Sequence, residues 1–394
     1  MMKAYKYRIY PTETQKVLLA KHFGCTRYIY NWGLATKIEA YQTDQKSLSK
    51  FDLGKQLPVM KKQEETEWLG EVNSQSLQSS LDHLDRAYKR FFKLEKGFPK
   101  FKSKYSKQSF SCPQQTKVDF DQGKVFIPKF REGIKCVFSR TFDGKIKTST
   151  VSRTTTGKYY ISILVETPDA VPSKPVPKTD QAVGIDLGIK TFATLSNGEV
   201  IENPKFLKKD LQRLKVLQRR ASKKKKGSAN RRKANLRVAL LHEKIANRRL
   251  DFLHKVTTKL VRENQTICLE DLNVQGMLKN HKLAQSISDV SWSKFNELLK
   301  YKAEWYGVNI KRIGRFEPSS KMCPCGKIHK DLKLSDRVWT CECGKTLDRD
   351  LNAAENVKKF AFHPLVKYSG LVKSGEPVEM SELSESAKQE SHML

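Results

Sequence analysis

The sequence predicts an α+β multidomain chain: an N-terminal helical region, a small β barrel, then an α/β core carrying a helical hairpin and a cysteine-bearing insertion. Three observations predict it. Apolar residues recur at helical spacing before residue 95, short alternating runs take over near Gly97, and strand-like apolar runs alternate with helical patterns after a proline-rich stretch. The boundaries fall at 1–95 (the first strand free to join the barrel), 96–170, a linker at 171–180, a core at 181–312, an insertion at 313–346, a last core segment at 347–365 and a tail at 366–394.

Each element has a local reason. Thr12 with Gln15 three residues on forms a capping-box signature behind Pro11, and Val17, Leu18, Phe23, Tyr28, Tyr30 and Trp32 supply one or two helices. Leu77, Leu81, Leu84, Tyr88 and Phe92 mark a helix over Ser76–Phe92, and the polar stretch 42–54 reads as a loop. KVFIPKF, IKCVFSRTF and KYYISILVE alternate like strands, with turn signals at Asp121-Gln122-Gly123, Asp143-Gly144 and Thr156-Gly157. VPSKPVPK (171–178) is a stiff, extended linker. The tail, ending SELSESAKQESHML, is polar and acidic and is expected to be disordered.

Charge narrows the partner. Lys and Arg number 75 against 42 Asp and Glu, a net charge of +33, which points to a polyanion. No stretch approaches the roughly 20 apolar residues of a membrane span, and MMKAYKYRIY reads as neither a signal nor a transit sequence. Eight cysteines without a secretory signal imply a reducing, cytoplasmic compartment in which clustered thiols bind metal.

Three acids stand out. Asp186 lies in the apolar run Ala182–Leu187, with Asn197-Gly198 as a hairpin turn between strands at 190–196 and 199–202. Glu270 ends the run TICLE, and Asp350 opens a helix in LDRDLNAAENV, with Asp348 as its rival. A carboxylate in a buried strand is costly unless paired or bound to a cation. Carboxylates converging from strand ends and a helix start suit two magnesium ions about 3.5–4 Å apart at a phosphodiester. Taken singly, Asp186 reads equally well as a turn former, and Glu270 or Asp271 as an ordinary loop acid. Cys323, Cys325, Cys341 and Cys343 form two Gly-followed pairs 15 residues apart, suited to one structural zinc.

GIDLGIK, CLEDL and DRDLNAAENV, in this order around a cysteine cluster, resemble the RuvC core of the TnpB (OrfB) family, transposon-encoded proteins similar to type V CRISPR effectors. YRIYPTETQ, NWGLA at 31–35 and GFPKFKSK fit the family's N-terminal half, so the resemblance covers roughly residues 1–365. It implies a wedge-like role for the barrel and a RuvC/RNase H-like core with hairpin and zinc-ribbon insertions. It also implies that Asp186, Glu270 and Asp350 are the metal-binding catalytic acids, and that guide RNA and target double-stranded DNA are the partners in a prokaryotic, nucleoid-associated setting. Cleavage beside a short adjacent motif follows from the same resemblance. The family spaces each cysteine pair by two residues, whereas here each has one, which leaves open weaker zinc binding, a ligand role for His329, or a ribbon without metal.

Between Lys205 and Arg249 lie 18 Lys and Arg and two acids, with Leu207, Leu211 and Leu214, then Leu236, Leu241, Ile245 and Phe252, at helical spacing. An antiparallel hairpin over 203–258 with a basic tip follows. Lys223, Lys224, Lys225, Lys226, Arg231, Arg232 and Lys233 are its candidate phosphate contacts. Basic and aromatic residues interleave from Arg86 to Lys102, which suits backbone tracking with base stacking. Gln75 and Gln78 are further candidates, and Arg337 reads either as a contact to the scissile phosphate or as a surface charge. The favoured function is an RNA-guided DNA endonuclease. A nuclease-inactive repressor, a protein-only nuclease or transposase, and a basic RNA-binding protein are the alternatives.

Overall fold

The computed structural model describes residues 1–94, 97–333 and 336–363, so the expected tail lies outside the described residues. The chain divides into two compact units, Met1–Ala170 and Val171–Leu394.

In the first unit, β1 (Met2–Tyr10) leads into a single helix of 32 residues, α1 (Glu13–Asp44). Its capping box forms as the sequence predicts, with Thr12 Oγ1 accepting from the Gln15 amide at 3.3 Å and Gln15 Oε1 accepting from the Thr12 amide at 3.1 Å. The expected loop at 42–54 is shorter than predicted. Ser49 and Asp52 make a second capping box that starts α2 (Lys50–Met60). After a 3₁₀ turn at Glu64–Glu71, α3 (Ser74–Leu94) completes a helical core around Ile29, Leu34, Leu53, Leu77 and Leu81.

Six strands follow: β2 (Gln108–Cys112), β3 (Lys117–Asp119), β4 (Lys124–Phe126), β5 (Ile134–Val137), β6 (Lys145–Arg153) and β7 (Tyr159–Glu166). With β1 they form one antiparallel sheet in the order β2-β6-β7-β1-β5-β4-β3. The predicted small barrel is thereby corrected to an open sheet, since no ladder joins β2 to β3 among the described residues. Alternation along a strand reports one buried face. Closure depends on strand number, tilt and shear together, which no local pattern encodes.

The second unit begins with β8 (Ala182–Leu187), β9 (Thr191–Leu195) and β10 (Val200–Glu202), an antiparallel meander. The hairpin α4 (Phe206–Ser222) and α5 (Ala229–Glu263) precedes β11 (Thr266–Glu270). Next come α6 (Val274–Met277), α7 (Ala284–Val290), α8 (Trp292–Tyr306) and β12 (Asn309–Ile313). The cysteine-bearing hairpin β13 (Val338–Thr340) and β14 (Thr346–Asp348) runs directly into α9 (Arg349–Phe362). β11 and β12 add to β8 in parallel, giving the order β10-β9-β8-β11-β12.

Two layers of helix cover this sheet. Val183, Ile185, Ile267 and Leu269 join Leu253, Leu260, Phe295 and Leu299 of α5 and α8 in one core. Ala182 and Cys268 pack with Val357 and Phe360 of α9 on the other face. Both faces are buried, so the strands read as continuous apolar runs. Leu214, Leu241 and Ile245 zip the α4–α5 hairpin, whereas Leu236, read from the sequence as part of the stripe, is 43% exposed. At the hairpin root the α7 carboxylate of Asp289 accepts from the Leu207 amide at 3.0 Å and from Arg249 Nη2 at 2.7 Å. It caps α4, whose own N-cap Lys205 contributes no side-chain bond.

The tightest approach lies between β8 and α9. A Cβ on Gly184 would stand 2.0 Å from the Ala354 carbonyl oxygen and 2.7 Å from the Lys358 amide nitrogen. Gly184→Val is therefore expected to cost about 3 kcal/mol or more, the upper range for overpacking. Chemical denaturation checks the cost, and hydrogen exchange should show β8 and α9 losing protection first.

Candidate active site

Strand periodicity places the acids. Residues 182, 184 and 186 of β8 share the face under α9, as do 268 and 270 of β11. The two strands are parallel with Leu269 opposite Ile185, so Asp186 and Glu270 come next at the same carboxyl edge. Asp350 enters from the first turn of α9. All three line one cleft of about 1310 Å³, together with Lys190, Lys208, Lys282, Arg315, Arg337 and Arg349. Crevices beyond the carboxyl ends of parallel strands are where α/β sheets bind ligands.

Burial, then the charges of Glu270 and Asp350, push the Asp186 carboxyl well above the usual carboxylate range, with Arg349 and Arg337 opposing. The rivals have other work. Asp348 is the N-cap of α9, accepting from the Leu351 amide at 2.9 Å. Asp271 also lines the cleft but is held by Arg315, Nη2 to Oδ2 at 3.0 Å. Arg337 is no idle surface charge: its Nη1 donates to both oxygens of Asp350 at 3.1 Å.

Four positioning residues escaped sequence reasoning. Gly184 admits α9. Asn352 Nδ2 donates to the Met322 carbonyl at 3.0 Å, and Asn356 Nδ2 to the carbonyls of Ser319 and Met322 at 2.7 and 2.6 Å. The loop they hold presents Ser319 Oγ, which donates to Glu270 Oε1 at 2.5 Å. Two buried amides four residues apart in NAAEN, on one helix face, were the available signal.

The four cysteines converge. Their sulfurs lie within 4.8 Å of one another, with Cys323 to Cys343 at 3.6 Å and Cys325 to Cys341 at 3.7 Å. A tetrahedral zinc with bonds of about 2.3 Å needs sulfur pairs roughly 3.8 Å apart, so the set fits that ion. The one-residue spacing is accommodated by two matching turns. The amides of Cys323 and Cys341 bond the carbonyls of Lys327 and Lys345, and Gly326 and Gly344 take φ of +96° and +85°. His329 stays beside the cluster, Nε2 3.3 Å from Cys341 Sγ.

The basic candidates are mostly placed in solvent. Lys223–Lys226, Arg232 and Lys233 are exposed at the hairpin tip, while Arg231 is half-buried and donates to the Lys224 carbonyl at 3.0 Å. In the first unit, Gln78 is exposed and Gln75 donates to Gln114 Oε1 at 2.9 Å. No described helix is long and apolar enough to cross a membrane.

Because the folded Asp186 carboxyl binds its proton more tightly than the unfolded one, its ionisation opposes folding. Stability present at low pH is lost as pH rises through the folded value. Asp186→Asn should accordingly raise the unfolding midpoint of the metal-free protein at neutral pH, with the gain shrinking as pH falls. An unchanged or lower midpoint at neutral pH would count against a desolvated carboxylate at this position.

Known proteins agree with this architecture. A family model described as a probable transposase of the OrfB type matches residues 161–281, and a Cas12f1-like TNB domain model matches 292–357. A third model, described as a helix-turn-helix domain, matches 1–46, residues that here form β1 and the single helix α1. A relative from Streptomyces pristinaespiralis is 43% identical over 360 residues, 90% of this chain and 88% of its own. InsQ of Escherichia coli K12 is 33% identical over 393 residues, 96% of both chains. Both carry the name "Putative RNA-guided DNA endonuclease". A Cas12f1 chain, solved by cryo-electron microscopy with sgRNA and target DNA, shares the fold with a TM-score of 0.50 at 14% identity, over 91% of this chain and 98% of that one. The chain belongs to the OrfB (TnpB) family of transposon-encoded proteins.

Proposed function

We propose that the protein is a metal-dependent, RNA-guided DNA endonuclease with one RuvC-type site. The observation that carries this reading is the convergence of Asp186, Glu270 and Asp350 on one basic-lined cleft. The mixed five-stranded sheet with α9 on the face bearing the acids supports a RuvC-like core, and the relatives' names supply the substrate class. Two magnesium ions held by the three carboxylates would activate water and stabilise the leaving oxygen. Ser319 orients Glu270. Arg337, paired with Asp350 here, is free to turn to the phosphate once that carboxylate has a cation. The lysines and arginines of the cleft hold the strand by its phosphates, without reading sequence. Base pairing with a guide RNA would read the target, leaving the protein a short adjacent motif. The basic hairpin tip is assigned to the phosphate backbone of RNA or of the RNA–DNA duplex. Intact acids argue against the inactive repressor, which has no use for them.

Three outcomes test this. Asp186→Ala should abolish magnesium-dependent cutting, by about 10³-fold or more, yet leave nucleic-acid binding intact; retained cutting refutes the assignment. Protein expressed with its native flanking DNA should co-purify one defined RNA ending in flank-derived sequence, whereas mixed host RNA would favour the protein-only nuclease. Metal analysis should find about one zinc per chain, and Cys325→Ser should lower that content and loosen the start of α9 in hydrogen exchange.

A further inference from the structure

The first unit holds a second groove, of about 730 Å³, on the exposed side of α1. Tyr28 and Trp32 of α1, Trp68 and Phe101 contribute four aromatic rings to it, and Tyr28 meets Trp68 edge-on with centroids 5.1 Å apart. Phe101 is 59% exposed beside a residue whose backbone is held. Asn31 clamps the next residue from both sides: Nδ2 donates to the Lys102 carbonyl at 2.9 Å and Oδ1 accepts from the Lys102 amide at 2.8 Å. The Lys102 ammonium lies 3.6 Å from the Tyr30 ring centroid, which pins the segment once more. A large ring kept in water on a rigid mount is a pre-organised contact awaiting a partner.

The surrounding charge chooses the partner. Lys21, Arg27 and Glu71 line the groove, and the Lys21–Glu71 pair offsets its own charge. Arg27, whose Nη1 donates to the neutral Gln108 amide at 3.3 Å, supplies the excess, with Lys100 and Lys104 flanking Phe101 in the chain. An apolar peptide would cover the rings but leave the excess positive charge unmatched. A nucleotide satisfies both, with its base on the rings and its phosphate on the cations. We propose that this groove takes an unpaired nucleobase of a single-stranded nucleic acid, stacked against Phe101 and the Tyr28–Trp68 pair, with Arg27 on the neighbouring phosphate. The proposal rests on the nucleic-acid-binding part of the function above and is independent of cleavage.

The test uses the full chain carrying Asp186→Ala, so that nothing is cut, and twelve-residue oligonucleotides of thymidine or uridine bearing a photoreactive 5-bromo base. Crosslinks mapped by mass spectrometry should fall on Phe101, Trp68, Tyr28 or Trp32. Phe101→Ala, at an exposed position that should not disturb folding, should cut the yield at the other rings about five-fold or more, the lower end for one stacked base, and Phe101→Trp should restore it. A stronger yield with one sugar names DNA or RNA as the source, and equal yields mean the groove ignores the sugar; either supports a base-stacking site. Crosslinks confined to other surfaces, or an abasic oligonucleotide of equal length binding as tightly as the thymidine one, overturn the proposal. Failure of the cleavage reading would instead appear as absent magnesium-dependent cutting by the unsubstituted chain, which this assay does not score.

Discussion

The second unit depends on one backbone-to-backbone approach, that of α9 against β8 at Gly184. Any side chain there would occupy the space of the Ala354 carbonyl. The helix lies close, with Ala353 and Ala354 buried, and Asn352 and Asn356 reach to the loop at 319–322. That loop carries the hydroxyl bonded to Glu270. A single contact thus fixes the distance from the strand acids to the helix acid and, through two amides and Ser319, the orientation of Glu270. Loosening it would disturb every part of the site, whereas changing any one acid leaves the scaffold whole.

The cysteine insertion matters to the same geometry from the other side. β13 and β14 pair Val338 with Asp348, and the Arg349 amide bonds the Arg337 carbonyl at 2.8 Å. The ladder therefore sets Arg337 beside Asp350 at the start of α9. A zinc that closes the two glycine turns would order this ladder, and with it the first turn of the helix that carries an acid. The cysteine cluster and the cleft-facing Asp350 are linked by a few residues of chain, a physical reason for them to lie together in the sequence.

Electrostatics set the cost of the arrangement. In a chain of net charge +33, Asp186 sits where burial and the neighbouring charges of Glu270 and Asp350 disfavour its ionisation. Arg337 and Arg349 offset part of that repulsion. A carboxylate held this way lowers stability, as groups at functional sites commonly do.

The sequence by itself determined the local structure and the chemistry. Capping residues started α1, alternating runs made strands, and the bounds of β8 followed from apolar spacing, as did the presence of the α4–α5 hairpin, because each depends on residues a few positions apart. The helix α5 itself runs to Glu263, past the expected end at 258. The candidate acids and cysteines were legible as residue types set against their surroundings, and the family resemblance supplied their roles. The tertiary structure alone decided that the barrel is an open sheet, that Asp348 caps while Asp350 faces the cleft, and that the shortened cysteine pairs still converge. It alone revealed Ser319 and the two asparagines as supports. These outcomes rest on contacts between segments far apart in the chain, whose distances are set by packing and register and leave no periodic mark in either segment.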